Sequence, residues 1–196
     1  MTRTTKHRNA MAVVAAGLSL AALTGCGTNS TAAPPTSSAA QLTPPTNPPT
    51  PAQIAEQQVT PVVQNFTQVV SSVFANPTQN LAVIDTVATG DAAASMRNQA
   101  RQTLDNKLVL KGESRVVSVH LSDYQPNARP VTATTRVCQD VSGSTITRPD
   151  GKSDVDPQRL DKNLAILTLT NVTPNDPAGW RVSKADYNSR RPCDAT

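Results

Sequence analysis

Three cysteines, one histidine beyond residue 7 and a scatter of aspartates are the groups in this 196-residue chain whose chemistry could matter. Cys26 ends the tetrapeptide Leu23-Thr24-Gly25-Cys26, which closes an apolar run beginning at Met11. Arg3, Lys6 and Arg8 stand in front of that run. A cationic front, an apolar middle and small residues before a cleavage point are the three parts of a secretory signal. Here the cleavage point ends on a thiol. Cys138 and Cys193 then remain as an even pair in an oxidising compartment, which predicts a disulfide between them. His120 is the single histidine outside the signal, so a metal centre of ordinary His/Cys type lacks ligands. No metal and no cofactor are expected. Histidine-based acyl transfer has only His120 to draw on, and no glycine-rich loop offers a phosphate cradle. Proton transfer by one carboxylate stays open: Asp85, Asp123 and Asp140, with Tyr124 and Tyr187, would have to converge in one pocket. His120 alternates with Val119 and Leu121 and is expected on the solvent or dimer face. Trp180, the only indole, is expected to pack as a rim anchor, and with Asp85 and Asp140 it completes the candidate pocket residues.

The N-terminal pattern resembles the bacterial lipobox, in which the cysteine carries lipid and becomes the first residue of the mature chain. The apolar run is short for a transmembrane helix, so residues 1–25 read as a lipoprotein signal peptide. Residues 26–51 read as the lipidated cysteine and a disordered tether: seven of the sixteen prolines fall here among Thr, Ser and Ala, with no charge. Such a composition cannot bury enough apolar surface to order itself, and in extended form it reaches roughly 75 Å from a membrane. Its Thr/Pro pattern also suits O-linked sugars. The expected location is the extracytoplasmic face of the cell membrane, held by the lipid. Removing the signal takes away three of eighteen basic residues and no acidic one, so the formal charge falls from +4 to +1. A surface that close to neutral gives no case for nucleic acid.

Residues 52–196 read as a single α+β domain. Thr50-Pro51-Ala52-Gln53 has the form of a capping box with proline at the first helical position. Val59, Val62, Val63, Phe66, Val69, Val70, Val73 and Phe74 follow at the spacing of an amphipathic helix. Pro61 predicts a kink or a restart with Thr60 as a second cap. Leu81 to Val87 suggests a short second helix. A third, capped by Asp91, is expected to run to about Leu108 with Ala92, Met96, Ala100 and Leu104 on one face. After Gly112 the apolar period becomes two. Strands are expected at Val117 to Leu121, Val131 to Val141, Leu164 to Val172 and Trp180 to Tyr187, with Val137 and Cys138 on opposite sheet faces. Leu164 to Val172 is apolar on both faces and reads as central. Helices first and antiparallel strands after is an α+β layout.

This order, together with Val137-Cys138-Gln139-Asp140-Val141, Gly151-Lys152-Ser153, Gly179-Trp180-Arg181-Val182 and Pro192-Cys193, resembles the nuclear-transport-factor-2-like cone fold. Lipoproteins of actinobacteria, and of phages that infect them, carry such domains. The resemblance spans about Ile54 to Cys193 and implies helices packed on a curved, cone-like antiparallel sheet of about four strands. Three functions compete. One is a non-enzymatic binding or accessory module at the cell envelope, taking an envelope protein or an apolar ligand, with a homodimer through the sheet as one arrangement. Another is a small dehydratase or isomerase using a carboxylate inside the cone. The third is a prophage-encoded envelope lipoprotein that excludes superinfecting phages.

Overall fold

Thr50 caps the first helix as its sequence promises. Its hydroxyl accepts from the Gln53 amide at 3.3 Å, and Gln53 Oε1 accepts from the Thr50 amide at 2.8 Å. The computed structural model describes residues 48–194. The signal, Cys26 and all but the last residues of the tether lie outside the described residues.

From that cap, helix α1 runs Pro51–Ala75 without a break. Pro61 neither ends nor restarts it, and Thr60 is not a second cap. The Thr60 hydroxyl donates back to the Glu56 carbonyl at 2.8 Å. Pro61 sits on the exposed side, where the Gln57 carbonyl it leaves unpaired can be met by water. The buried stripe is Ala55, Val59, Val63, Phe66 and Val73. The short second helix is a 3-10 turn, Leu81–Thr86, begun by the Asn80 side chain accepting from the Ala82 amide. Helix α2 spans Gly90–Asp105. Its N-cap is Thr89 rather than Asp91, because the Thr89 amide is tied to the Val182 carbonyl at 2.8 Å and fixes where the helix begins. Asp91 falls in the first turn instead, where its charge suits the helix dipole. Ala92, Met96 and Ala100 are buried, but Leu104 is 46% exposed, contrary to expectation. The helix ends one residue later, and Lys107 in the left-handed region turns the chain away before anything covers Leu104.

Six strands follow: β1 Val109–Lys111, β2 Arg115–Gln125, β3 Thr132–Asp140, β4 Thr145–Thr147, β5 Lys162–Asn171 and β6 Trp180–Tyr187. Four form an antiparallel sheet in the order β2-β3-β5-β6, so β5 is internal as its two apolar faces require. The remaining pair, β1 and β4, makes a separate two-stranded ribbon that the sequence reading missed. In β2 the register slips between Val116 and Ser118 and again between Leu121 and Asp123. These two bulges keep Val116, Val119, Leu121 and Tyr124 on the inner face although their spacing is not two. Helix α1 lies along β2 and α2 along β6. Between helices and sheet sits the core, with Phe66, Ile84, Val137, Leu167, Leu169, Trp180 and Val182 fully enclosed. The fold is therefore α+β, helices on one face of a four-stranded antiparallel sheet.

Both sheet edges are partly answered. The Glu56 carboxylate of α1 accepts from the Leu121 amide on β2 at 3.4 Å. On the other side, Val87 and Thr89 bond to Val182 of β6. Among the described residues no helix is long and apolar enough to cross a membrane.

Candidate functional site

At one end of the sheet the inward parity of the strands turns polar. On β3 the inner residues run Ala133, Thr135, Val137, Gln139; on β5 they run Leu169, Leu167, Ala165, Asn163. Gln139 and Asn163 are register partners and both are buried. They form the floor of a cavity of about 280 Å³. Val70 and Phe74 of α1 and Met96 of α2 make one apolar wall; Leu110 of β1 and Ile146 of β4 make another. The ribbon thus acts as a flap over the end of the core. Gly112 lets it approach: its φ is +79°, and a Cβ there would lie 1.9 Å from the Gly143 carbonyl oxygen.

Polar groups gather on the remaining side. Tyr187, last residue of β6, is 41% exposed as a residue, yet its hydroxyl end lies inward beside Gln139. Burial pushes its pKa well above the ordinary tyrosine value, with the Gln139 hydrogen bond opposing. The phenol is accordingly a neutral donor across the physiological range. Arg159 is the one charged side chain among those lining the cavity. Its guanidinium donates to Ser144 Oγ at 3.2 Å and to the Val141 and Ser144 carbonyls at 3.1 Å each. It has no carboxylate partner among the described residues.

A C-terminal strap closes this end. The disulfide Cys138–Cys193, predicted from parity and compartment, is present with a Cα–Cα distance of 5.2 Å. Val137 points into the core and Cys138 to the outer face, as alternation requires. Ahead of Cys193 the Leu160 amide donates to the Ser189 carbonyl at 2.9 Å, and the Leu164 amide to that of Arg191 at 2.8 Å. Arg190 pairs with Asp156 at 2.8 Å and Arg191 with Asp186 at 3.4 Å, so the two arginines anchor the strap. Ser189 is carried to the rim of the cavity.

The other groups singled out in the sequence lie elsewhere. Asp85, on the 3-10 turn, pairs with Arg97 of α2, and its side chain is 58% exposed. Asp140 points to the outer face between Arg115 and Lys162 in register. Its carboxylate accepts from the Ser142 hydroxyl at 2.6 Å and amide at 3.0 Å. Those bonds, then Lys162 and Arg115, hold its pKa below the usual carboxylate value. His120 is exposed on β2 opposite Arg136, and Asp123 accepts from Gln125 at the surface. Tyr124 packs half-buried against the core. Trp180 is buried, its Nε1 donating to Gln58 Oε1 at 3.2 Å beneath a shallow groove with Pro61 and Pro177. Of all these candidates, only Tyr187 lines the cavity floored by Gln139 and Asn163. Gln139, Asn163 and Arg159 were not foreseen in it, although inward parity on β3 and β5 could have found the first two. Among the described residues no group of three or more His, Cys, Asp or Glu is placed to hold a metal ion.

No protein-family model matches this chain, and no curated protein matches it. Among solved structures, the crystal structure of the intermembrane space region of chloroplast protein ARC6 is similar over 71% of this chain and 97% of that one. The identity is 12% and the TM-score 0.46.

Proposed function

We propose that this protein is a lipid-anchored, extracytoplasmic lipoprotein with a nuclear-transport-factor-2-like domain, and that it works as a non-enzymatic binding module at the cell envelope. The observation that carries the binding reading is the cavity. Two of its walls are apolar, its floor is two neutral amides, its remaining side carries Arg159 and Tyr187, and no carboxylate or histidine lines it among the described residues. A proton-transferring dehydratase or isomerase needs a carboxylate inside an apolar site with a raised pKa. Here Asp140 faces outward with its pKa lowered, and Asp85 is exposed and ion-paired. The disulfide is consistent with an oxidising, extracytoplasmic compartment. The cone-fold reading is supported by the element order of helix, 3-10 turn, helix and four-stranded antiparallel sheet.

Two measurements separate the parts of this proposal. Cys26→Ala is expected to release the full chain from the membrane fraction or leave it unprocessed; unchanged fractionation and migration would sink the lipid anchor. A Met96→Trp variant, filling the apolar wall, is expected to abolish recovery of envelope lipids or small molecules that co-purify with the parent. If the parent carries none and the variant behaves identically in every binding screen, the cavity is not the working site.

A further inference from the structure

The cavity joins one cation, without a carboxylate partner among the described residues, to an apolar wall, and that combination specifies a ligand class. Three of the five guanidinium N–H groups of Arg159 are used by Ser144 and Val141. Arg159, Tyr187 and Asn163 line the polar side of the cavity, where the Asn163 side-chain amide donates one of its two N–H groups to the Leu160 carbonyl at 3.5 Å. A half-buried positive charge without a counter-ion is costly, and a ligand anion would offset it. A charge-assisted, planar head is the best match to a guanidinium. One cation balances one negative charge, so a carboxylate suits the site better than a doubly charged phosphate monoester. Opposite these donors, Phe74, Met96, Leu110 and Ile146 offer only apolar surface.

Size narrows the class further. At about 280 Å³ the cavity lies at the lower edge of the ~300–1,000 Å³ range of small-molecule sites, too small for a two-chain glycerolipid. A second groove of about 380 Å³ adjoins it, with Phe74, Gln99, Leu110 and Ile146 lining both. A single chain that outruns the first chamber would have to pass these four shared side chains to reach it.

We infer that the cavity takes a single-chain acyl carboxylate, with its head on Arg159, Tyr187 and Asn163 and its chain directed beneath the β1–β4 ribbon. The inference rests on the binding-module reading and names its ligand. The test exposes the full-length protein in membranes to a diazirine-bearing medium-chain fatty acid, with its methyl ester in parallel, and maps the photo-adducts by mass spectrometry. The acid is expected to label peptides carrying Phe74, Met96 or Leu110, half-saturating at least about tenfold below the ester. Arg159→Gln is expected to raise the acid's half-saturation to that of the ester and to leave the ester unchanged. Equal labelling of the cavity by acid and ester would overturn the carboxylate assignment and leave the cavity a binding site. Labelling scattered over the surface with both probes would overturn the binding reading as well. The acid–ester comparison is made on the parent chain, so it decides the question even if R159Q does not accumulate. Tyr187→Phe then serves as the second variant, with a severalfold loss for the acid alone.

Discussion

Replacing both Cys138 and Cys193 by alanine removes the crosslink without leaving a free thiol, and the structure sets what should follow. The two residues are 55 apart in sequence, and the chain-entropy relation for a loop of that length gives about 4 kcal/mol as an upper value. The strap from Asn188 to Asp194 would then depend on the Leu160–Ser189 and Leu164–Arg191 backbone bonds and on two exposed ion pairs. Each backbone bond contributes about 0.5–1.5 kcal/mol and each exposed pair about 0–1. Ordering seven residues opposes this at about 1–2 kcal/mol per residue, so the strap should fray before the sheet does. Because fraying lets the rest of the fold survive, the expected loss of global stability is about 2–4 kcal/mol, or roughly 5–15 °C in melting temperature. Urea unfolding of the full chain gives the first number. Hydrogen exchange gives the local one: the Leu160 and Leu164 amides should lose protection while the amide of Leu167, deep in β5, keeps it. A stability loss below about 1 kcal/mol, with Leu160 and Leu164 still protected, would refute the reasoning. The strap would then be held by packing and hydrogen bonds, and the crosslink would be incidental.

Three further outcomes are expected. Phe66→Ala should cost about 3–5 kcal/mol in chemical denaturation, because the ring is fully enclosed between α1 and the sheet; a loss below about 1 kcal/mol would mean α1 is peripheral. Gly112→Ala should lower stability by at least about 1–3 kcal/mol, through its left-handed φ and the collision with the Gly143 carbonyl, and thermal melting of the variant checks it. Tyr187 should resist ionisation, read at 295 nm in a Tyr124→Phe variant where it is the only tyrosine. Its folded pKa is raised above the unfolded value of about 10, so its contribution to stability is intact below about pH 10 and is lost as pH rises further. Ionisation of Tyr187 at about pH 10 would show that its hydroxyl is not enclosed beside Gln139.

How much of this was legible depended on how far each signal reaches along the chain. The Thr50 capping box, the α1 stripe and the two-sided apolar run of β5 are local and periodic, and they stand where the sequence put them. Cysteine parity was equally legible, since it needs only a count and a compartment. Leu104 misled because periodicity says which face a residue shares, not how far the surface beneath it extends. The ribbon was missed because three residues per strand carry no period. Pro61 misled in the opposite direction: on the exposed face of a well-anchored helix, the missing hydrogen bond can go to solvent.

The cavity itself was illegible for a different reason. Carboxylates, histidine and tryptophan were weighed as candidates because their chemistry is conspicuous, yet most were placed outside by sheet parity and ion pairing. The groups that meet in the cavity are an amide from β3, an amide from β5, an arginine from the loop before β5 and a phenol from the end of β6. Each is unremarkable alone, and they share no spacing. What brings Gln139 and Asn163 together is the β3–β5 register, and what sets Tyr187 beside them is the β5–β6 register, which pairs it with Ala165, the next inward-facing residue after Asn163. A polar step at the end of three inward-facing apolar rows is thus the sequence-level trace of the site. It becomes readable only after the strands are paired, because pairing converts three separate polar residues into one end wall.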